Sequence, residues 1–439
     1  MTPPAPGRGP TPMGESEPPR ITSLPFFYTA PVALSIAGAL LMGWGALALS
    51  TPWSSLTLAF THVITLGFLT MTGLGSFYVL AARSGAVTIA RPRLTHLVYY
   101  GLVIGAVGLV WGTARAQSAP VFAAIGAVGL AVVVFIFQAS LALKRRAGGR
   151  AEVRALRLAL WGFSLAVFLG LWLAHGHGGM RFPGLRSLWM QVHLCIALLG
   201  WLGGMLVALS GVALPESFAA PALTKRNLDG LLAMTAVGIF VPFGLLLYGY
   251  FFVPTADQGW IEPWAIGSLV PALGAIWGVH PALCLNSLRS GTPAPGYRHW
   301  QVGLALAPIV LALGVAAWFL GDVRLGLLFG WLALVGWAGT LFSGLLLGTI
   351  PSLIALRGGE RPGGEEGTPG APLSGLVGAS RVALLLHGAA LGTGAVGILF
   401  QSDLGCRLAG ALVLADGAWL LVALTRALSG SRPRRGEAA

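Results

Sequence analysis

Twelve runs of about twenty apolar residues recur along this chain, each the length an α-helix needs to cross roughly 30 Å of hydrocarbon. They fall at 24–50, 56–82, 95–113, 119–143, 155–175, 188–214, 228–253, 262–285, 300–320, 324–354, 382–400 and 405–427. Strands are excluded, because a lipid-exposed sheet edge leaves backbone groups unpaired. The expected fold is therefore an all-α polytopic membrane protein of twelve transmembrane helices, with the lipid bilayer as its first partner. Composition agrees, since 56% of the 439 residues are apolar and only 9% charged, too few charges to cover a water-facing surface. A soluble enzyme, a disordered protein and a nucleic-acid binder are excluded on that ground.

Two tails flank this twelve-helix domain (24–427), and one long cytoplasmic loop lies within it. Residues 1–23 are rich in Pro and Gly and read as a disordered tail, 355–381 as a flexible loop, and 428–439 as a basic tail. The run 24–50 is too long for a signal-peptide core and is taken as the first span. Five of the 27 Lys and Arg residues (Arg115, Arg181, Arg186, Arg324 and Arg407) fall on one side of the resulting topology; the rest share the side of both termini. The positive-inside rule then predicts a bacterial inner-membrane protein with cytoplasmic termini. Trp53, Trp111, Trp172, Trp189, Trp260, Trp264 and Trp318 fall near the outer ends, where an aromatic belt is expected. Cys195, Cys284 and Cys406 show no CxxC spacing and read as small buried residues.

A short string recurs on every fourth span. Gly67-Phe68-Leu69, Gly200-Trp201-Leu202 and Gly330-Trp331-Leu332 lie in spans 2, 6 and 10, which suggests three pseudo-repeats of four helices. Secondary transporters of twelve helices are commonly built as six plus six, a different period.

Histidine carries the cofactor chemistry open to this chain, since carboxylates are few and the cysteines scattered. His62 lies about 9 Å into span 2 and His193 about 8 Å into span 6 at 1.5 Å per residue, so matched imidazoles are expected to face one another near the outer side. His175 and His177 close span 5 as a His-Gly-His pair that could hold a copper or zinc ion in an irregular turn. Deeper in the membrane, His387 of span 11 and Asp416 of span 12 are placed to meet as a hydrogen-bonded pair, a candidate proton relay. Proline-bearing stretches around Pro242, Pro271 and Pro351 are expected to bend their helices.

These features resemble subunit I of the haem-copper oxidase superfamily, and locally the NnrS-type haem- and copper-binding membrane proteins. Thr61-His62-Val63-Ile64-Thr65-Leu66-Gly67-Phe68 is similar to the Thr-His…Leu-Gly-Trp segment of that family. Val192-His193-Leu194-Cys195 followed by Leu199-Gly200-Trp201 is similar to its His-x-His…Gly-Trp segment, with Cys195 where the second His is expected. The resemblance implies that His62 is an axial haem ligand and His193 the metal or haem ligand of span 6. Spans 7 and 10 carry no histidine, so a conventional oxygen reductase is not implied. The expectation is a membrane protein that binds haem, or copper, with a role in electron transfer, nitric-oxide response or metal handling, and with a respiratory or cytochrome partner. The alternatives are a proton-coupled secondary transporter without a redox centre and a structural subunit of a respiratory complex.

Overall fold

The computed structural model describes residues 22–83, 91, 93–144, 151–179, 186–358 and 371–430. The expected disordered tail, but for its last two residues, the centre of the 355–381 loop and most of the basic tail lie outside them. Among the described residues there is no strand, and twelve helices are long and apolar enough to span a membrane. They are spans 1 (Leu24–Leu49), 2 (Ser55–Leu80), 3 (Arg93–Arg115), 4 (Ser118–Lys144), 5 (Glu152–His177), 6 (Arg186–Phe218), 7 (Lys225–Phe252), 8 (Asp257–Leu288), 9 (Tyr297–Leu320), 10 (Val323–Ala355), 11 (Gly375–Leu399) and 12 (Asp403–Ser429). The protein is a multi-pass integral membrane protein. The face at which span 1 begins and span 12 ends is called here the basic face, and the other the far face. Three spans begin on side-chain caps: Ser54 Oγ accepts from Thr57 N (3.1 Å), Thr224 Oγ1 from Asn227 N (3.2 Å), and Asp322 Oδ1 from Arg324 N (2.8 Å) and Leu325 N (3.1 Å).

Burial sorts the spans with a period of four. In the most apolar stretches of spans 2, 6 and 10, 83%, 78% and 72% of residues are buried, against 22–50% in the other nine. Three helices therefore form a core and nine surround it. At Gly73 of span 2 the core helices meet, since a Cβ there would lie 3.3 Å from the Trp201 ring of span 6 and 3.4 Å from the Phe342 ring of span 10. Spans 1 and 12 close the outer ring through glycine: a Cβ on Gly38 would sit 2.2 Å from Leu414 N, and one on Gly410 2.3 Å from Met42 N. Small residues let these backbones touch, which is how membrane helices associate without a hydrophobic drive between them. At the far end of this seam Arg407 Nε donates to Asp403 Oδ2 (2.6 Å), and Asp403 Oδ1 accepts from Ala46 N (2.9 Å).

Each core helix is interrupted by an eight-residue π segment: Val63–Thr70, Ile196–Gly203 and Leu332–Gly339. The fifth residue of each is a glycine followed by a buried aromatic: Gly67-Phe68, Gly200-Trp201 and Gly336-Trp337. This register corrects the third member of the sequence repeat, which is Gly336-Trp337 rather than Gly330-Trp331. Trp331 instead ends the α-helical turn before the π segment and donates from Nε1 to Leu391 O (3.1 Å).

Other expectations shift as well. Span 10 runs as helix through Pro351 and, ahead of it, carries the π segment. Span 7 is likewise helical through Pro242, whereas span 8 breaks at Ser268–Leu269, just ahead of Pro271. The 355–381 loop narrows, because helix runs on to Gly358 and resumes at Ala371. Trp189 leaves the expected belt: it is buried, packed against Trp172 (5.9 Å between ring centroids) and Tyr250 (5.8 Å).

Candidate functional site

The π segments set the depth of the far-side histidines. A π turn adds a residue to the helix, so positions before it are rotated relative to those after it. His62, Cys195 and Trp331 occupy the equivalent position immediately before the three segments. His193 stands two residues earlier, in register with Phe60 and Phe329. Counted from Ser55 and Arg186, where spans 2 and 6 begin, each histidine lies seven residues into its span. His62 lies within electrostatic range of both His193 and His177.

Both imidazoles are oriented by the backbone. His62 Nδ1 donates to Leu58 O, one turn back on its own helix (2.7 Å), and His193 Nδ1 donates to Ala166 O of span 5 (2.9 Å). A carbonyl only accepts, so Nδ1 carries the proton in each ring and the Nε2 lone pair is left for another partner. Gly170 makes room for the second ring, since a Cβ there would come within 2.9 Å of His193 Cε1. The surroundings are open. His62, Thr65 and Leu66 of span 2 and Gln191, Leu194, Cys195 and Ala197 of span 6 are only half-buried, whereas 68–79 of span 2 and 198–210 of span 6 are buried throughout. Gln191 Oε1 is buried there without a hydrogen-bond partner.

His175 and His177 behave differently from the expected chelating turn. Both lie within the regular helix that ends at His177, so residues two apart project from different faces. His175 is exposed, bonds through Nδ1 to Leu171 O (2.7 Å) and packs edge-on against Phe122. His177 comes within electrostatic range of His62. Among the described residues no three His, Cys, Asp or Glu side chains gather as a metal-ion site. A haem iron takes one or two axial donors from a protein, so either imidazole or both could serve such a group, whereas two histidines alone leave a copper ion short of ligands.

At the middle of spans 11 and 12 the structure brings His387 and Asp416 together. Nδ1 of His387 meets Asp416 Oδ2 at 2.8 Å and Nε2 donates to Val335 O at 2.8 Å; both residues are buried. Val335 sits inside the third π segment. Two further clusters escaped sequence reasoning. His280 Nε2 lies 3.2 Å from Ser210 Oγ and 3.3 Å from Cys284 Sγ, a contact signalled by the i, i+4 spacing of His280 and Cys284. His299 Nδ1 lies 3.3 Å from Ser380 Oγ, and Ser380 stands two helical turns from His387 on the same face of span 11. Compared with known proteins, the chain matches no family model and no curated sequence.

Proposed function

We propose that this protein is a haem-binding integral membrane protein of oxidase-like architecture that works in electron transfer. His62 and His193 would hold the iron through Nε2. The observation that carries this reading is the pair of imidazoles whose Nδ1 atoms are fixed on backbone carbonyls, with the Nε2 lone pairs left in the half-buried far end of the core. Haem supplies one-electron exchange when bound. The chain's own part is to orient two rings, to leave space at Gly170, and to close the core beyond Phe68 and Leu198. The period of four in burial supports an arrangement of three four-helix units over a six-plus-six transporter. Copper handling is the lesser reading, because a two-histidine donor set leaves such an ion short of ligands.

Protein purified in detergent from haem-replete cells should show a Soret band and a reduced-minus-oxidised difference spectrum. His62→Ala and His193→Ala should each abolish or strongly weaken both. A colourless wild-type preparation overturns the reading.

A further inference from the structure

The three core helices run in the same direction. Spans 2, 6 and 10 start at the far face and end at the basic face, at Leu80, Phe218 and Ala355, so their backbone dipoles add instead of cancelling. A helix carries the equivalent of about half a negative elementary charge at its C-terminal end, and three such ends converge here. Spans 6 and 10 strengthen the effect with a proline near their ends. Pro215 and Pro351 stand nineteen residues after Ile196 and Leu332, the first residues of their π segments. Neither has an N–H to give to the carbonyl one turn back, Gly211 O and Leu347 O.

A cavity of about 50 Å³ lies between these ends. Its lining follows the threefold arrangement of the core. Thirteen residues after Val63, Ile196 and Leu332 stand Ser76, Leu209 and Leu345, and seventeen after them stand Leu80, Ala213 and Thr349; all six line the cavity. It therefore lies on the axis that the three helices share. Its side-chain polar groups are the hydroxyls of Ser76 and Thr349 and, closer to the ends of spans 6 and 10, of Ser217 and Ser352. Among the described residues no acidic or basic side chain lines it. Thr349 Oγ1 donates to Leu345 O (2.7 Å), so what it still offers is oxygen lone pairs. Ser76 is 4% exposed, and its Oγ is buried without a partner. A buried hydroxyl left dry is costly, so Ser76 calls for a ligand in the cavity.

We propose that this cavity binds one alkali-metal cation, Na+ or K+, through the hydroxyl oxygens of Ser76 and Thr349, in the negative potential of the three helix ends. Oxygen donors suit a hard cation. The lining sets its charge. With no carboxylate among the described lining residues, a divalent ion would lose its water with only partial charges to offset the loss, whereas a single positive charge is of the size that three helix ends can balance. An anion is opposed by the same helix ends and meets no Lys or Arg among those residues. The volume exceeds the roughly 10–15 Å³ that one water needs, so the ion can keep part of its hydration shell. Bound there, it holds the C-terminal ends of spans 2, 6 and 10 together. The site stands apart from haem binding, and a colourless protein would leave it intact.

The test is equilibrium binding of radioactive Na+, and of radioactive Rb+ in place of K+, to the full chain in detergent, with choline chloride holding the ionic strength constant. The wild type should take up one of these ions saturably, and its melting temperature should rise with that ion and not with choline. Ser76→Ala removes a hydroxyl that bonds nothing, so folding loses no hydrogen bond, and it should weaken the binding about tenfold. Thr349→Val, of nearly unchanged volume, should act in the same direction. Thr425→Val, at an exposed hydroxyl of span 12 bonded to its own helix, should bind as the wild type does. No saturable uptake of either ion, the behaviour of a cavity that holds only water, overturns the proposal. So does uptake undiminished in both Ser76→Ala and Thr349→Val, or displacement of the bound ion by Ca2+ in preference to Na+ and K+.

Discussion

His62 and His387 are both histidines on spans of the same membrane protein, yet their environments are opposite. Near the far face, His62 uses one nitrogen on its own helix and keeps the other open in a half-buried region. Midway along span 11, His387 uses both nitrogens, ties spans 10, 11 and 12 together, and is closed off from solvent. The first arrangement suits an incoming ligand, and the second suits cohesion. An imidazole in a membrane is defined by what its second nitrogen does.

Stability separates the two regions most sharply. Asp416→Leu, which leaves His387 buried with half its partners gone, should destabilise the protein by about 3–5 kcal/mol, read as a large fall in melting temperature in detergent. The double change His387→Leu with Asp416→Leu should recover most of that loss, because the membrane interior accepts an apolar pair. Equal damage in single and double variants would show that the pair is not the source of cohesion. Next in size is the seam between spans 1 and 12, where Gly410→Val forces atoms apart at Met42 N and should cost about 1–3 kcal/mol. His62→Ala in haem-free protein should cost about 1 kcal/mol or less, since only a bond to Leu58 O is lost. A loss comparable to that of Asp416→Leu would erase the contrast between an open and a closed histidine.

The smallest effect is at Asp322, outside the membrane spans. The backbone N–H of Leu325, then those of Arg324 and its side chain, hold the Asp322 carboxyl below its ordinary value. A lowered value means that the cap stabilises span 10 above the ordinary carboxylate range and is lost as the pH falls through the lowered one. Asp322→Asn should therefore flatten a shallow acid-side decline in the melting temperature and change little at neutral pH.

Hydropathy alone carried the twelve spans, because crossing hydrocarbon demands long apolar runs whatever the tertiary contacts. The central place of spans 2, 6 and 10 was hinted at by the Gly-aromatic string, since only glycine lets a core helix touch Ala33 or Gly162 on its neighbours. Its third copy was misread because a π turn shifts side-chain phase without any mark in composition, so Trp331 and Trp337 look alike in the sequence. Adjacent antiparallel helices made the meeting of His387 and Asp416 readable. The contact between His299 and Ser380 was not, because it depends on how spans 9 and 11 approach across span 10. For the same reason the His-Gly-His of span 5 promised a chelating turn that the regular helix does not form.

The most direct measurement is the reduced-minus-oxidised absorption spectrum of wild type, His62→Ala and His193→Ala, each purified from haem-replete cells. The account predicts a haem signal in the wild type that either substitution removes while His175→Ala retains it. A wild type without haem absorption, or a signal that survives both His62→Ala and His193→Ala, contradicts it.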